Sequence, residues 1–192
     1  MEEKRLIAKQ ISKLTVHLTK ESLDMISSVL MCTELKKGDF LFREGEICNQ
    51  IIYVSKGLIR QYYTQDNKEQ TENFAYESNF LFEIESCFKQ TPSRMNMEAL
   101  EQTTVYSLPY DKLIKLSVEN VEIATFYRVF LEKLLIRAQE KSVSLRFETA
   151  GERYRRLMKE NPEIIKRAPL SQIASYLMMT PETLSRVRGN VL

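Results

Sequence analysis

The sequence is poor in the residues that build most catalytic and metal centres. Its 192 residues include a single histidine, His17, which lies in a segment predicted to be helical. One histidine excludes a metal site built from two histidines, and no motif supports a Ser/His/Asp arrangement or a haem ligand around it. We therefore expect neither an enzyme nor a metal protein.

Cysteine and glycine are also scarce. The three cysteines, Cys32, Cys48 and Cys87, are widely spaced and form no C-x-x-C pair. That pattern fits neither a disulfide framework nor a four-thiolate metal or iron–sulfur site. The five glycines are scattered singly, so no glycine-rich loop is available to hold a phosphate.

Long apolar runs are missing as well. No stretch approaches the length of a membrane span, and the N-terminus MEEKRLIAKQISKLTVHL is too polar for a signal peptide. We expect a globular cytoplasmic protein that makes no membrane contact.

Charge is distributed unevenly along the chain. The formal net charge is +2, but the residues from Thr149 onward carry eight Lys/Arg against four Asp/Glu, a net of +4, and the rest carries −2. The basic C-terminal quarter favours an anionic partner, although a solvated helix face would give the same excess.

A region of short strands is predicted from about Thr33 to Leu108. Runs rich in β-branched and aromatic residues alternate there with turn signals, which is typical of an all-β unit closed as a small barrel or roll. The runs are KKGDFLF, QIIYVSKGLIRQYYT, TENFAY, MNMEAL and TVYSL. A helical N-terminus precedes them, in which LTKESLDMISSVL carries a Thr/Ser cap signal.

One long helix is predicted from about Asn120 to Phe147. Apolar residues recur there at three- and four-residue spacing, with no Gly or Pro between them. The apolar face is too wide for a helix exposed on all sides. The helix therefore packs on the β unit, and either on a second copy of itself or wholly within one monomer.

The chain after this helix is predicted to be all helical. A break is expected at residues 149–152, followed by a short helix over residues 153–160 that stops at Asn161-Pro162.

The segment LSQIASYLMMTPETLSRVR, which begins at Leu170, predicts two further helices joined by a short turn. Ser171 is expected to cap a helix that runs to about Leu177, and Thr180-Pro181 is expected to start the next. The inner faces are expected to carry Ile173, Ala174 and Leu177 in the first helix, and Leu184, Val187 and Val191 in the second.

The outer face of the second helix has the composition of a DNA-reading surface. Arginine binds guanine bidentately, glutamate accepts from cytosine, and threonine contacts a thymine methyl or a phosphate. The residues concerned are Thr180, Glu182, Thr183, Ser185, Arg186 and Arg188. The alternative is an ordinary helical hairpin in which Glu182 and Arg186 form a surface ion pair.

IASYL and TPETLSRVR, with GERYRRLMKENPEI upstream, resemble the helix-turn-helix end of the catabolite activator protein family, also called the cyclic-AMP receptor and fumarate–nitrate regulator family. LKKGDFLFREGE, IIYVSKGLIRQYY and the PSRMNMEALE region resemble that family's cyclic-nucleotide-binding β-roll. The resemblance thus extends over nearly the whole chain.

The resemblance implies an α+β fold in three parts. These are a double-stranded β-helix, or jelly-roll-like β-roll, with flanking helices over residues 1–118, a dimerisation helix over 119–148, and an all-α helix-turn-helix domain over 149–192 without a C-terminal wing. It further implies a homodimer through the helix at about Asn120 to Phe147, double-stranded DNA as partner, and a hinge at the 149–152 break. In the turn, Met178 stands where the family commonly has glycine. Phosphates are also expected to meet the flanking basic residues Arg153, Arg155, Arg156, Lys166 and Arg167.

The family binds a cyclic phosphate with a Gly-Glu pair and a later Arg-Ser or Arg-Thr pair. In the matching stretch, residues 82–94, Glu83 is retained, but Phe82 replaces the glycine and the later pair is Ser93-Arg94, in reversed order. A side chain in place of glycine obstructs the close approach of a phosphate, and the reversal aims the guanidinium differently. The sequence leaves open cyclic AMP, a different small-molecule effector or none, and Glu83, Ser93 and Arg94 are the candidate residues. The alternative is that Glu83, Ser93 and Arg94 only form a structural turn at the surface.

Two functions therefore remain open. One is a dimeric DNA-binding transcription regulator with a sensory β-roll whose effector is not necessarily cyclic AMP. The other is a ligand-binding or protein-interaction β-roll without sequence-specific DNA binding.

Overall fold

A computed structural model describes the backbone of residues 2–191 and the side chains of residues 2–189. Within this range the chain begins with two helices, continues as eight short strands with one helix among them, and ends in six helices. The first part comprises α1 (Glu2–Lys13), α2 (Lys20–Val29), β1 (Met31–Leu35), β2 (Phe40–Phe42), β3 (Gln50–Lys56), β4 (Ile59–Gln65), β5 (Lys68–Ala75), β6 (Phe80–Phe82), α3 (Ile84–Lys89), β7 (Asn96–Ala99) and β8 (Thr103–Pro109). The second comprises α4 (Tyr110–Glu119), α5 (Val121–Phe147), α6 (Ala150–Glu160), α7 (Pro162–Arg167), α8 (Leu170–Tyr176) and α9 (Pro181–Val191).

The strands form two four-stranded antiparallel sheets, with strand orders β1-β8-β3-β6 and β2-β7-β4-β5. Alternate side chains of each sheet face the other sheet and fill the space between them. The buried residues of this core are Leu35, Phe42, Cys48, Ile52, Val54, Ile59, Ala75, Leu81, Met97, Ala99 and Val105. The predicted α+β fold with a β-roll is therefore confirmed.

Sharp turns close the roll at positions that the sequence marks. Asp66 and Asn67 both have positive φ, at 51° and 59°, between β4 and β5, which is the backbone of a type I′ hairpin turn. Gly57, between β3 and β4, has a φ of 99°, and a Cβ there would lie 2.3 Å from Thr103 Oγ1. Only glycine therefore fits this close approach of two chain segments.

Helices cover the outer face of the sheet that contains β3 and β6. A second apolar core joins α1, α2, α4 and the N-terminal half of α5 to that sheet, with Ile123, Phe126 and Phe130 as the contribution of α5. The Glu122 carboxylate also accepts hydrogen bonds from Thr19 N, Thr19 Oγ1 and Ser22 Oγ. The start of α5 is thus fixed to the N-terminal helices.

The predicted long helix is confirmed, but the predicted break after it is too wide. Helix α6 begins at Ala150, because Thr149 and Glu152 form a reciprocal capping box at its N-terminus. The non-helical connection is limited to Glu148 and Thr149, and Gly151 lies within the helix. In the part of the chain described here, no helix is both long and apolar enough to cross a membrane.

Candidate nucleic-acid interface and effector cassette

Helices α8 and α9 form a packed pair, which we call the helical pair, and α8 is the more buried of the two. Ile173 and Ala174 are fully buried, and Leu177, at the end of the helix, is 5% exposed. The prediction that Ser171 caps this helix is wrong. Helix α8 starts directly after Pro169, whose carbonyl accepts hydrogen bonds from Gln172 N and Ile173 N. Proline fixes the entry φ without needing a side-chain cap.

The turn between α8 and α9 is tight and left-handed. Met178 has a φ of 53°, and its amide donates to Ser175 O while Met179 N donates to Ala174 O. The turn thus has the backbone conformation that favours glycine, which is the residue the family commonly has here. The left-handed conformation costs a residue with a Cβ about 1–2 kcal/mol. The Met178 side chain extends into solvent.

Helix α9 starts as predicted. Thr180 Oγ1 accepts a hydrogen bond from Thr183 N at 3.2 Å, and Pro181 is the first helical residue. Leu184 is 1% exposed and Val187 packs against the same core. The predicted inward position of Val191 concerns a side chain outside the described range.

The solvent side of α9 carries the predicted reading residues. Glu182, Ser185 and Arg186 are exposed, as is Thr180 at the cap, whereas Thr183 and Arg188 are half-buried. Hydrogen bonds from its own amide and from Thr180 hold the pKa of Glu182 below its usual value, so the carboxylate stays charged at the helix N-terminus.

The alternative of a simple surface ion pair is not favoured by the geometry of α9. Glu182 and Arg186 form no ion pair among the described side chains, and Arg186 Nη2 instead lies 3.4 Å from Thr183 Oγ1. The guanidinium remains on the solvent side of the helix.

The flanking basic residues divide into two groups. Arg155 is exposed, and Lys166 is exposed and makes only a surface pair with Glu163. By contrast, Arg153 donates to two backbone carbonyls, Arg156 pairs with a carboxylate, and Arg167 pairs with two carboxylates. Of the five residues expected to meet phosphates, Arg155 and Lys166 therefore remain on the surface, whereas the guanidinium groups of Arg153 and Arg167 already bond within the protein.

The helical pair does not stand apart from the roll. Leu58 and Phe74, on the roll, share one buried core with Tyr154, Leu157 and other residues of α6 to α9. Polar contacts surround this core. Thr71 N donates to Ser175 Oγ at 2.8 Å, Tyr76 Oη donates to Asn161 Oδ1 at 3.1 Å, and Lys141 pairs with Glu72.

Arg167 adds a charged contact between α7 and the roll. Its guanidinium lies 2.7 Å from Glu77 and 2.6 Å from Glu101, both on the roll, and only 18% of the side chain is exposed. Burial alone would raise the pKa of Glu77, but hydrogen bonds from Arg167 and from Gly57 N outweigh it and hold that pKa below its usual value. Helix α7 is therefore attached to the roll through charged hydrogen bonds.

The candidate effector residues flank α3: Glu83 directly precedes this helix, and Ser93 and Arg94 lie between it and β7. Glu83 follows β6 and is 8% exposed. Its Oε2 accepts from Gln61 Nε2 at 3.1 Å, and Gln61 Oε1 accepts from Asn73 Nδ2 at 3.2 Å. A chain of three polar side chains thus joins Glu83 to β4 and β5. Burial raises the pKa of Glu83, and the amide of Ser86 and the Gln61 side chain oppose the shift only in part.

Phe82 packs away from this polar chain. Its ring lies 5.5 Å from that of Phe88 and 6.0 Å from that of Phe130, in the core between sheet and helices. The side chain that replaces glycine therefore fills space beside α3 and α5.

The pair Ser93-Arg94 is split between interior and solvent. Ser93 is 5% exposed, and its Oγ accepts from Met95 N at 2.9 Å. Arg94 is exposed. The surface-turn alternative thus holds for Arg94 but not for Glu83 or Ser93, which are buried.

Among the side chains that the structure describes, no buried cation lies beside Glu83 to hold a phosphate. The buried guanidinium of Arg60, on β4 of the other sheet, donates to Thr71 Oγ1 at 2.8 Å and pairs with Glu69. A cyclic phosphate needs a fixed positive fork together with free backbone donors. Among the described residues of the cassette the guanidinium is that of Arg94, which is exposed and makes no hydrogen bond that would fix it beside Glu83, so these residues do not fit the group.

Sequence reasoning missed Gln61, Asn73 and Arg60. A signal for them exists, because Arg60 and Gln61 are adjacent polar residues inside the otherwise apolar run GLIRQYY. Polar residues at such positions are buried only with partners, but the run does not identify these partners.

Comparison with known proteins gives one family match and several relatives. Residues 32–120 match the family described as cyclic nucleotide-binding domain. The transcriptional activator protein anr of Pseudomonas aeruginosa is 25% identical over 187 residues, which cover 91% of this chain and 76% of that protein.

Solved structures show the same fold. FixK2 from Bradyrhizobium japonicum superposes with a TM-score of 0.67 at 22% identity, covering 85% of this chain and 84% of that one. The catabolite activator protein of Thermus thermophilus superposes with a TM-score of 0.59 at 17% identity, covering 95% and 86%.

The raised pKa of Glu83 predicts a specific pH dependence. Because the folded pKa lies above the unfolded value of about 4.3, the stability contributed by this group is fully present below that value and is lost as pH rises through the folded pKa. The substitution Glu83→Gln should therefore raise the melting temperature relative to wild type at about pH 8, with the difference shrinking towards about pH 4.

The matched control is Glu85→Gln. Hydrogen bonding to Lys89 lowers the pKa of the exposed Glu85, so its contribution is present above the unfolded pKa and is lost on acidification. This variant should be slightly less stable at about pH 8 and equal to wild type at low pH. Parallel pH trends for the two variants would contradict the assignment of Glu83.

Proposed function

This chain belongs to the catabolite activator protein and fumarate–nitrate regulator family, and from that premise we propose that it is a homodimeric, DNA-binding transcription regulator with a sensory β-roll. The observation that carries the proposal is the exposed face of α9, which presents Glu182, Ser185 and Arg186 above a packed helical pair. Relatives named as transcriptional activators support it.

In this proposal α9 enters the major groove. Arg186 reads a guanine through two hydrogen bonds, and Glu182 accepts from a cytosine. Thr180, Thr183, Ser185 and Arg188 contact phosphates or base edges at the margins of the same face, with Arg155 and Lys166 as further phosphate contacts.

The DNA-reading role is tested by Arg186→Ala. We expect a loss of about 1–3 kcal/mol in binding to duplexes selected from random DNA, together with relaxed sequence preference at one base pair. Fluorescence anisotropy across a salt series measures both, since phosphate contacts make affinity fall steeply with salt.

The control is Lys115→Ala, which removes one exposed positive charge from α4 and should leave affinity unchanged. Weak and equal binding of the wild-type protein to every duplex would refute the proposal. That result would favour the other function, a ligand-binding or protein-interaction roll without sequence-specific DNA binding.

Homodimerisation is proposed through one stripe of α5. Residues at alternating steps of four and three, the repeat of a coiled-coil seam, line this stripe, which we call the α5 seam. They are Ala124, Arg128, Leu131, Leu135, Ala138, Ser142 and Leu145. Leu131 packs on the core of its own protomer, but Leu135 is 72% exposed and Leu145 is 38% exposed. The C-terminal part of the seam is therefore uncovered within the described protomer. Its alanines and serine permit close approach of two helices.

The seam is tested by Leu135→Glu, which places two carboxylates opposite one another in the paired helices. Burial of a leucine stabilises by about 1.5–3 kcal/mol, and both copies lose it, so the dimer dissociation constant should rise at least about a hundredfold. Sedimentation or light scattering at several concentrations measures the change.

Ile136→Glu provides the control, because Ile136 is 57% exposed on the adjacent position but lies off the seam. This variant should remain dimeric. Dissociation by Ile136→Glu with a stable Leu135→Glu dimer would show that another face of α5 pairs.

For the sensory roll we propose an effector other than a cyclic nucleotide, or none. The buried Glu83 is bonded to Gln61, and Arg94 is in solvent. If two recognition helices meet successive major grooves roughly 34 Å apart, an effector acts only through different affinities for two arrangements of these helices.

The proposal on the effector predicts no thermal shift with cyclic AMP. A ligand in thousandfold excess over its dissociation constant stabilises by about 4 kcal/mol, so even micromolar binding would be evident at millimolar nucleotide. A clear rise in melting temperature that disappears in Glu83→Gln would instead place cyclic AMP in the cassette.

A further inference from the structure

The corner between α5 and α6 is closed by several side-chain contacts. The Glu148 carboxylate accepts from Ser144 Oγ at 2.6 Å and lies 3.3 Å from Arg156 Nε. Thr149 N donates to Glu152 Oε2 at 2.8 Å in the capping box. The direction in which α6 leaves α5 is therefore fixed by hydrogen bonds on both sides of the two-residue connection.

Arg153 extends this corner to the helical pair. Its Nε donates to Leu177 O at 2.9 Å, and its Nη1 donates to Glu148 O at 2.8 Å. Leu177 and Glu148 are the C-cap residues that directly follow α8 and α5 respectively. Carbonyls at helix ends have no partner within their own helix, and a guanidinium satisfies them with charge-assisted hydrogen bonds.

The two carbonyls have different roles in the molecule. Leu177 directly precedes the left-handed Met178, and Thr180 caps α9 three residues after Leu177. Glu148 ends the helix that carries the α5 seam. One side chain therefore connects the end of the proposed dimer helix to the turn that orients the proposed recognition helix.

We propose that Arg153 is a positioning residue that sets the separation and angle of the two recognition helices in the dimer. This inference rests on the proposed function. Lysine cannot reproduce the contact, because a single ammonium is a point charge and lacks the planar fork that spans two carbonyls.

The role is tested with DNA duplexes of varied half-site spacing. The half-site is first obtained by selecting random DNA on the wild-type protein. Duplexes then carry either one half-site or an inverted repeat whose centre is lengthened or shortened one base pair at a time. Wild type should show a sharp optimum in spacing, since fixed helices meet only one separation.

For Arg153→Gln we expect unchanged affinity for the single half-site. Affinity for the optimally spaced repeat should fall about tenfold, as on loss of one hydrogen bond to a charged group, and the spacing optimum should broaden. Arg153→Lys should lie between this variant and wild type.

Arg155→Gln is the control, because Arg155 is two residues away on α6, exposed, and carries the same charge. It should lower half-site and repeat affinity alike without moving the spacing optimum. Circular dichroism and melting temperature verify that each variant is folded. If Arg153→Gln is not folded, the spacing profile of Arg153→Lys provides the test.

An unchanged spacing profile in a folded Arg153 variant overturns the inference. So does an equal loss on half-site and repeat, which would make Arg153 an ordinary phosphate contact. If the wild-type protein selects no preferred sequence from random DNA, the proposed function itself is refuted. That result is distinct from the two outcomes that overturn the role of Arg153.

Discussion

The outer face of the sheet that contains β4 and β5 must be covered by other parts of the chain. It presents Leu58 and Phe74, which are apolar, and beside them the buried guanidinium of Arg60. Helices α6 to α8 cover this face, so the helical pair and the roll share one core. Arg167, between Glu77 and Glu101, closes the edge of the contact. Both carboxylates are about 40% exposed, and removing one leaves Arg167 paired with the other. The stabilising effect of each pair is therefore the modest one of a partly exposed ion pair.

This covering constrains how the roll can influence the helical pair. A sensory domain joined by a loose linker would let its output move freely, but here any movement must separate Thr71 from Ser175 and Tyr76 from Asn161. A change of arrangement therefore needs a second packing with comparable contacts, because packed cores switch between discrete states rather than deform gradually. Strand β5 contacts both the candidate effector residues and the helical pair. Asn73 donates to Gln61, which bonds to Glu83, and Thr71 N donates to Ser175 of α8.

Local signals in the sequence predicted the elements that depend on local chemistry. Thr180-Pro181 starts α9, the unbroken three- and four-residue spacing gives α5, and turn residues separate the strands of the roll. Short elements without such signals were missed as separate elements, namely α3, β6, α4 and α7. Ser171 was misassigned because Pro169 already defines the start of α8.

The contacts at the candidate sites that the sequence did not predict have a different cause. Nothing in the sequence distinguishes Arg153 and Arg167 from the exposed Arg155, since all three are basic residues in one helical zone. Their roles depend on carbonyls and carboxylates that the fold brings from distant positions, such as Glu77 for Arg167 and Leu177 for Arg153. Likewise, the partner of Glu83 is Gln61, which is 22 residues away.

The roll and the helical pair depend on their candidate functional residues to different degrees. The core between the sheets consists of apolar residues, and neither Glu83 nor Arg94 belongs to it. The roll therefore retains its fold when the residues that would hold a cyclic phosphate are replaced, because fold and ligand chemistry depend on different side chains. Helix α9 has no such freedom. Its cap, its buried Leu184 and its exposed arginine lie on successive turns of one short helix, so a change in one alters the presentation of the others.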